Sequence, residues 1–103
     1  MGKIDLKVIR RFIMYYPYCT IEDRIEVVHT PLNQEGMTVV HFEEPDARFG
    51  FKTLDCTIPN YRIVSCVGFS EKEVSSLVEF CRNNASLLLV CAKEGGISNA
   101  EFI

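Results

Sequence analysis

The chain has no tryptophan, only two histidines, no C-x-x-C pair and no excess of basic residues. Each lack removes a class of function. Eleven lysines and arginines against fourteen acids leave a formal charge of −3. General binding to a phosphate backbone needs a basic surface, so nucleic acid is not the expected partner. Two histidines and no paired cysteines give no zinc spacing, and no Asp-x-Asp pattern marks a divalent cation site. Walker-type and dinucleotide glycine loops are missing, so no nucleotide cofactor is expected. No apolar run approaches the roughly 20 residues of a membrane-spanning helix. Neither an export signal nor a myristoylation site is expected around Gly2, since Leu6 stands where Ser or Thr is needed.

What is present is an ordinary globular mix: 48% hydrophobic and 24% charged residues over 103 positions. That is one domain, residues 1–103, and it excludes intrinsic disorder. The five cysteines, Cys19, Cys56, Cys66, Cys81 and Cys91, are odd in number and sit mostly among apolar neighbours. They are expected as reduced thiols packed like small hydrophobes, which suits a cytoplasmic protein.

The pattern along the chain is α+β. Val8, Ile9, Phe12, Ile13 and Tyr16 share one helical face, so an N-terminal helix is expected over 5–16, stopped by Pro17. The prolines at 17, 31, 45 and 59 then punctuate short β-type runs at 24–30, 37–43, 47–54 and 61–67. The simplest arrangement is a four-stranded antiparallel meander with turns at 31–36, 44–46 and 58–60. Phe49 and Phe51 should share a face opposite Arg48 and Lys52. A hairpin centred on 33–34 would pair His29 near Thr38. Ser70 and Glu73 have the form of a capping box, with Phe69 placed to staple Val74. An amphipathic helix is expected over 71–83, ended by Asn83-Asn84, with Val74, Leu77, Val78 and Cys81 facing the sheet. The apolar segment 86–92 fits either a buried fifth strand or a second helical stretch; the break at Asn83–Ser86 and Gly95-Gly96 beyond it favour the strand.

The charges are uneven. Residues 1–18 hold four basic groups and one acid; residues 19–60 hold three basic groups and eight acids. Six of those acids, Glu22, Asp23, Glu26, Glu43, Glu44 and Asp46, fall at turns and strand ends that a meander can bring to one edge. Such a cluster would attract a partner protein with a basic surface. The enzyme readings centre on Cys91 and His41. Cys91 opens a glycine-containing loop like that of cysteine phosphatases, but Ile97 stands where the phosphate-binding arginine belongs. A nucleic-acid module would use Lys3, Lys7, Arg10 and Arg11 on the first helix. Self-association is a further possibility, because the edges of an open meander must be covered or blunted.

Val40-His41-Phe42, the run from Ala47 to Phe51, and Gly68-Phe69-Ser70-Glu71-Lys72-Glu73 give a resemblance over residues 38–84. The pattern is similar to a small uncharacterised bacterial domain family found near toxin–antitoxin genes. The family's second histidine is replaced here by Phe42-Glu43, and its tryptophan after the helix is missing. The resemblance implies mobile-element or defence biology. The expected function is a small non-enzymatic inhibitor of antitoxin, immunity or anti-defence type, whose acidic surface blocks a basic, nucleic-acid-handling protein.

Overall fold

A computed structural model describes residues 14–96. Five strands, β1 (Tyr16–Ile21), β2 (Ile25–His29), β3 (Thr38–Asp46), β4 (Gly50–Ile58) and β5 (Arg62–Val67), are followed by one helix, α1 (Glu71–Glu94). The strands lie in chain order β1-β2-β3-β4-β5, each antiparallel to the next. The architecture is therefore α+β, with a meander sheet and one helix laid over β3 and β4.

Alternation explains the sheet. Ile25, Val27 and His29 of β2, Val40 and Phe42 of β3, and Leu54, Cys56 and Ile58 of β4 point at α1 and are buried. Their neighbours Glu26, His41, Glu43 and Asp55 point the other way, onto a face that α1 does not cover. The helix closes the core with Leu77, Cys81 and Leu88, and Val74 and Val78 pack beside them. The expected capping box forms: Ser70 Oγ accepts from Glu73 N–H, and the Glu73 carboxylate accepts from Ser70 N–H. That backbone bond holds the Glu73 carboxyl below its ordinary range.

Several expectations need correction. Residues 5–13 of the expected N-terminal helix lie outside the described residues, and its last turn is not helical. Tyr16 instead opens β1, a strand the proline rhythm hid. Pro17 is compatible with that strand because β1 is an edge, where a missing N–H can face outward. Among the described residues the meander therefore has five strands, not four. Pro45 stands inside β3 opposite Phe51, and the turn falls at 47–49, where Asp46 accepts from the N–H groups of Arg48 and Phe49. The β2–β3 register places His29 opposite Val40, two positions from the expected Thr38. Asn33 Oδ1, which accepts from Glu35 and Met37 N–H, holds the wider loop.

Phe51 and Lys52 take opposite faces of β4, as their alternation requires. Lys52 points to the helix side, drawn there by Glu44 and Glu73, while Phe51 is exposed on the open face. Of the cysteines, Cys56, Cys81 and Cys91 are buried as expected, but Cys19 and Cys66 are exposed; all five are free. A hydrogen bond to Cys56 and burial push the Cys81 thiol up.

The largest difference concerns 83–92. The helix does not stop at Asn83-Asn84, and 86–92 is its second half, not a strand. Asn84 is kept helical by its own side chain. Its Nδ2 donates to Phe80 C=O, and its Oδ1 accepts from the Tyr18 hydroxyl at 2.9 Å, tying the helix to β1. The end comes at Gly95, whose φ of 88° is the left-handed cap and whose N–H returns to Cys91 C=O. The loop after β2 secures this end, with Leu32 N–H donating to Ala92 C=O.

Two substitutions test this account. Asn84→Ala should lower stability by about 1–2 kcal/mol, because it strands a part-buried tyrosine hydroxyl. The same change at exposed Asn83 should move the urea midpoint by only a few tenths of that amount.

Candidate functional site

The open face is organised as cross-strand rows. One row runs Thr20, Glu26, Glu43, Thr53, Val67 through successive Cα partners on β1 to β5. The next runs Pro17, Val28, His41, Asp55, Ser65. Opposed residues in an antiparallel pair sit close enough for their side chains to interact. The chemistry of the face concentrates where these rows meet β3 and β4.

His41 lies between two carboxylates. Its Nδ1 is 2.5 Å from Asp55 Oδ1 and its Nε2 is 2.9 Å from Glu43 Oε1. Ser65 Oγ donates to the other Asp55 oxygen at 3.0 Å. The Tyr15 ring stands 5.5 Å from the imidazole. Carboxylates accept and do not donate, so two of them are satisfied only by an imidazolium with both nitrogens protonated. The bond to Asp55 raises the His41 pKa; partial burial opposes this, and the bond to Glu43 adds to the rise. The trio carries one positive and two negative charges.

Glu26 lies directly opposite Glu43. Among the described residues neither forms an ion pair with a lysine or arginine; Glu43 has His41 alone. Both line a hollow of about 230 Å³ with Pro45, Phe51, Thr20 and Arg24. The Arg24 guanidinium at its rim is already engaged by Glu22 at 2.8 Å and Glu44 at 2.6 Å. Phe51 is half exposed beside the two acids, so the hollow offers an aromatic face next to two negative charges.

The six acids singled out from the sequence are therefore divided, not gathered at one edge. Glu26 and Glu43 meet on the open face. Glu22 and Asp23 form the tip of the β1–β2 turn, with φ of 53° and 56°. Asp46 is engaged by the β3–β4 turn. Glu44 points to the opposite side and is buried, held by Arg24 and with the Lys52 ammonium 3.7 Å away. Lys52 also reaches Glu73 at 3.3 Å, so this network ties the β1–β2 turn, β3, β4 and the start of α1 together. Glu44 serves the fold, since removing one partner of a buried pair leaves an uncompensated charge.

Asp55 and Ser65 were missed. The signal was present in Leu54-Asp55-Cys56, where one acid interrupts apolar residues and must point away from the core if both neighbours are buried.

Neither enzyme reading gains a constellation. The Asp55–His41 pair looks like a catalytic dyad, but Nε2, the atom that would take a proton from a nucleophile, faces Glu43. Ser65 bonds Asp55, not His41. Cys91 is fully buried, and burial pushes its thiol up. Among the described residues there is no group of three or more His, Cys, Asp or Glu positioned for a metal ion. Nor is any helix among them long and apolar enough to cross a membrane.

His29 behaves oppositely to His41. It is buried, ringed by Tyr16 and Tyr18, with Nδ1 2.9 Å from Thr30 C=O. Burial pushes its pKa down.

The two histidines should shape the pH profile together. From the ordinary value of 6.5, His41 is raised in the folded state. Its contribution is complete below that value and is lost as pH rises through the folded pKa. His29 is lowered, so its contribution is complete above 6.5 and is lost as pH falls through its folded pKa. Across the histidine range, folding stability should peak near 6.5. His41→Asn should flatten the alkaline arm and leave the acid arm. Urea midpoints across that range, with NMR titration of each imidazole, measure both. A profile that rises steadily through the alkaline side would contradict the His41 assignment.

The chemistry rests on these residues alone: no family model, curated protein or solved structure matches the chain.

Proposed function

We propose that this protein is a non-enzymatic binding module whose open sheet face captures a basic segment of another protein. The Glu26–Glu43 pair carries the reading. Like charges directly opposite on neighbouring strands destabilise a sheet by a few tenths to about 1 kcal/mol. Here they border a hollow with an exposed phenylalanine and have no lysine or arginine partner among the described residues. An incoming arginine or lysine would relieve the repulsion and could lie over the Phe51 ring, combining ion pairing with a cation–π contact. The adjacent Asp55–His41–Glu43 trio extends the negative charge along β3 and β4.

The partner class follows from charge. A basic groove built for phosphates would accept carboxylates presented on a rigid sheet, as expected for an inhibitor of a nucleic-acid-handling protein. An antitoxin, an immunity protein and an anti-defence protein are forms of this role. Electrostatic capture speeds association and weakens with salt.

The test uses Glu26→Gln with Glu43→Gln, which keeps shape and removes charge. The isolated variant should keep its fold with little change in stability, because loss of the Glu26–Glu43 repulsion offsets loss of the Glu43–His41 ion pair. In affinity capture from native lysate, wild type should retain a basic protein that moderate salt releases, and the variant should lose it. Equal retention by both proteins would refute the reading. A lower melting temperature for the variant would show that the pair supports the fold instead.

A further inference from the structure

We infer that the open face is occupied in cis: the chain's own basic segment, residues 3–13, docks over the acids around His41, and a partner's basic segment must displace it. This rests on the capture role proposed above and adds its regulation.

The first ground is where the chain meets the face. β1 is an edge strand, and β2 lies between it and β3. Yet the Tyr15 ring, just before β1, stands 5.5 Å from the imidazole of His41 on β3. Two strand spacings, about 10 Å, separate those strands, so Tyr15 is turned inward across β2. Tyr16, the next residue, takes the helix side, where its ring stands 5.7 Å from that of buried His29. Alternation therefore leaves Tyr15 on the open side, and residues 3–13 are tethered there.

The second ground is charge. Residues 3–13 hold Lys3, Lys7, Arg10 and Arg11 against Asp5 alone. The face beside Tyr15 holds Glu43 and Asp55 on either side of His41, with Glu26 opposite Glu43. The basic segment is thus joined to the one surface of opposite sign that lies next to its point of attachment. Val8, Ile9, Phe12 and Ile13 in the same segment have apolar counterparts in Val28, Val39 and Phe51 on the face.

The third ground is reach. Glu43 is two residues along β3 from His41 and Glu26 is one strand over, which places Glu26 about 8 Å from His41. Arg11 precedes Tyr15 by four residues, a span of about 6 Å if helical and about 14 Å if extended. Either span brings a guanidinium to the acids, so the contact does not depend on the segment's conformation. A tether this short gives an effective concentration on the order of millimolar. If the segment covers the face about nine-tenths of the time, affinity for an outside basic peptide falls about tenfold.

The test uses the full chain and a fluorescein-labelled hexa-arginine peptide, read by anisotropy. Arg10→Gln with Arg11→Gln should bind the peptide about tenfold tighter than wild type. Glu26→Gln with Glu43→Gln should lose the peptide, with or without the arginine changes. NMR of the protein alone reads the cis contact. The arginine pair should shift the amides of Glu26, Glu43 and Phe51, and should shift them far less when both acids are already glutamine. Added salt should move the wild-type amides towards the positions of the arginine variant. Melting temperatures confirm that each variant is folded. Unchanged amides and unchanged affinity on loss of Arg10 and Arg11 overturn the inference, while peptide binding by wild type would still uphold the capture role. Amide shifts that fade on dilution put a second copy's segment on the face and also overturn it. Shifts that obey the cycle, with no peptide bound by any variant, support the cis contact and refute the capture role.

Discussion

The pleat of β3 is the constraint on which the rest of the molecule depends. Thr38, Val40, Phe42 and Glu44 point to the helix; Val39, His41, Glu43 and Pro45 point away. A side-chain period of two gives no intermediate arrangement, so a slip of one residue would bury His41 and Glu43 and expose Phe42. Three contacts oppose the slip. Phe42 packs edge-on against Phe80 at 5.9 Å, Glu44 is fixed by Arg24, and Thr38 is bonded to Thr30. The same strand therefore holds the core on one side and the candidate site on the other. Stability and function cannot be separated by sequence position here, only by parity.

Electrostatics follow this division. On the helix side, Glu44 and Glu73 meet Arg24 and Lys52, and opposite charges are matched close to the core. On the open side, Glu43 and Asp55 share the His41 ring, and Glu26 stands opposite Glu43. An unmatched acid is expensive near the core and cheap at a wet surface, so the imbalance is confined to the face water can reach. The proton on His41 becomes part of the architecture. It holds two carboxylates within hydrogen-bond distance of one ring and orients Glu43 beside Glu26. Deprotonation would leave at least one carboxylate without its donor.

The sequence was legible where local chemistry and tertiary demand agreed. Ser70 and Glu73 form the box their spacing describes, and Ile25, Val27, Leu77 and Cys81 are core residues as their periods require. It was misleading where a partner distant in sequence decides. Asn84 reads as a helix stop until Tyr18, 66 residues away, occupies its carbonyl. Pro45 reads as a turn because strand interiors exclude proline, yet position 45 continues β3 opposite Phe51. Alternation separates Lys52 from Phe51 without saying which faces the core, and two acids draw Lys52 to the helix side. The acidic cluster was half legible for the same reason. Composition places carboxylates in the segment, but parity decides that Glu43 joins Glu26 while its neighbour Glu44 turns inward.

The two surfaces left open differ in kind, and the difference bears on how they would work together. The acidic face is polar, rigid and built on central strands, where a bound side chain costs the sheet little reorganisation. The β5 margin is apolar, and a register shift at Val64 distorts it. A partner held at the first would dissociate in salt, whereas apolar contact at the second would persist. The exposed phenylalanine and the unmatched acids on the open face then act as parts of one binding surface.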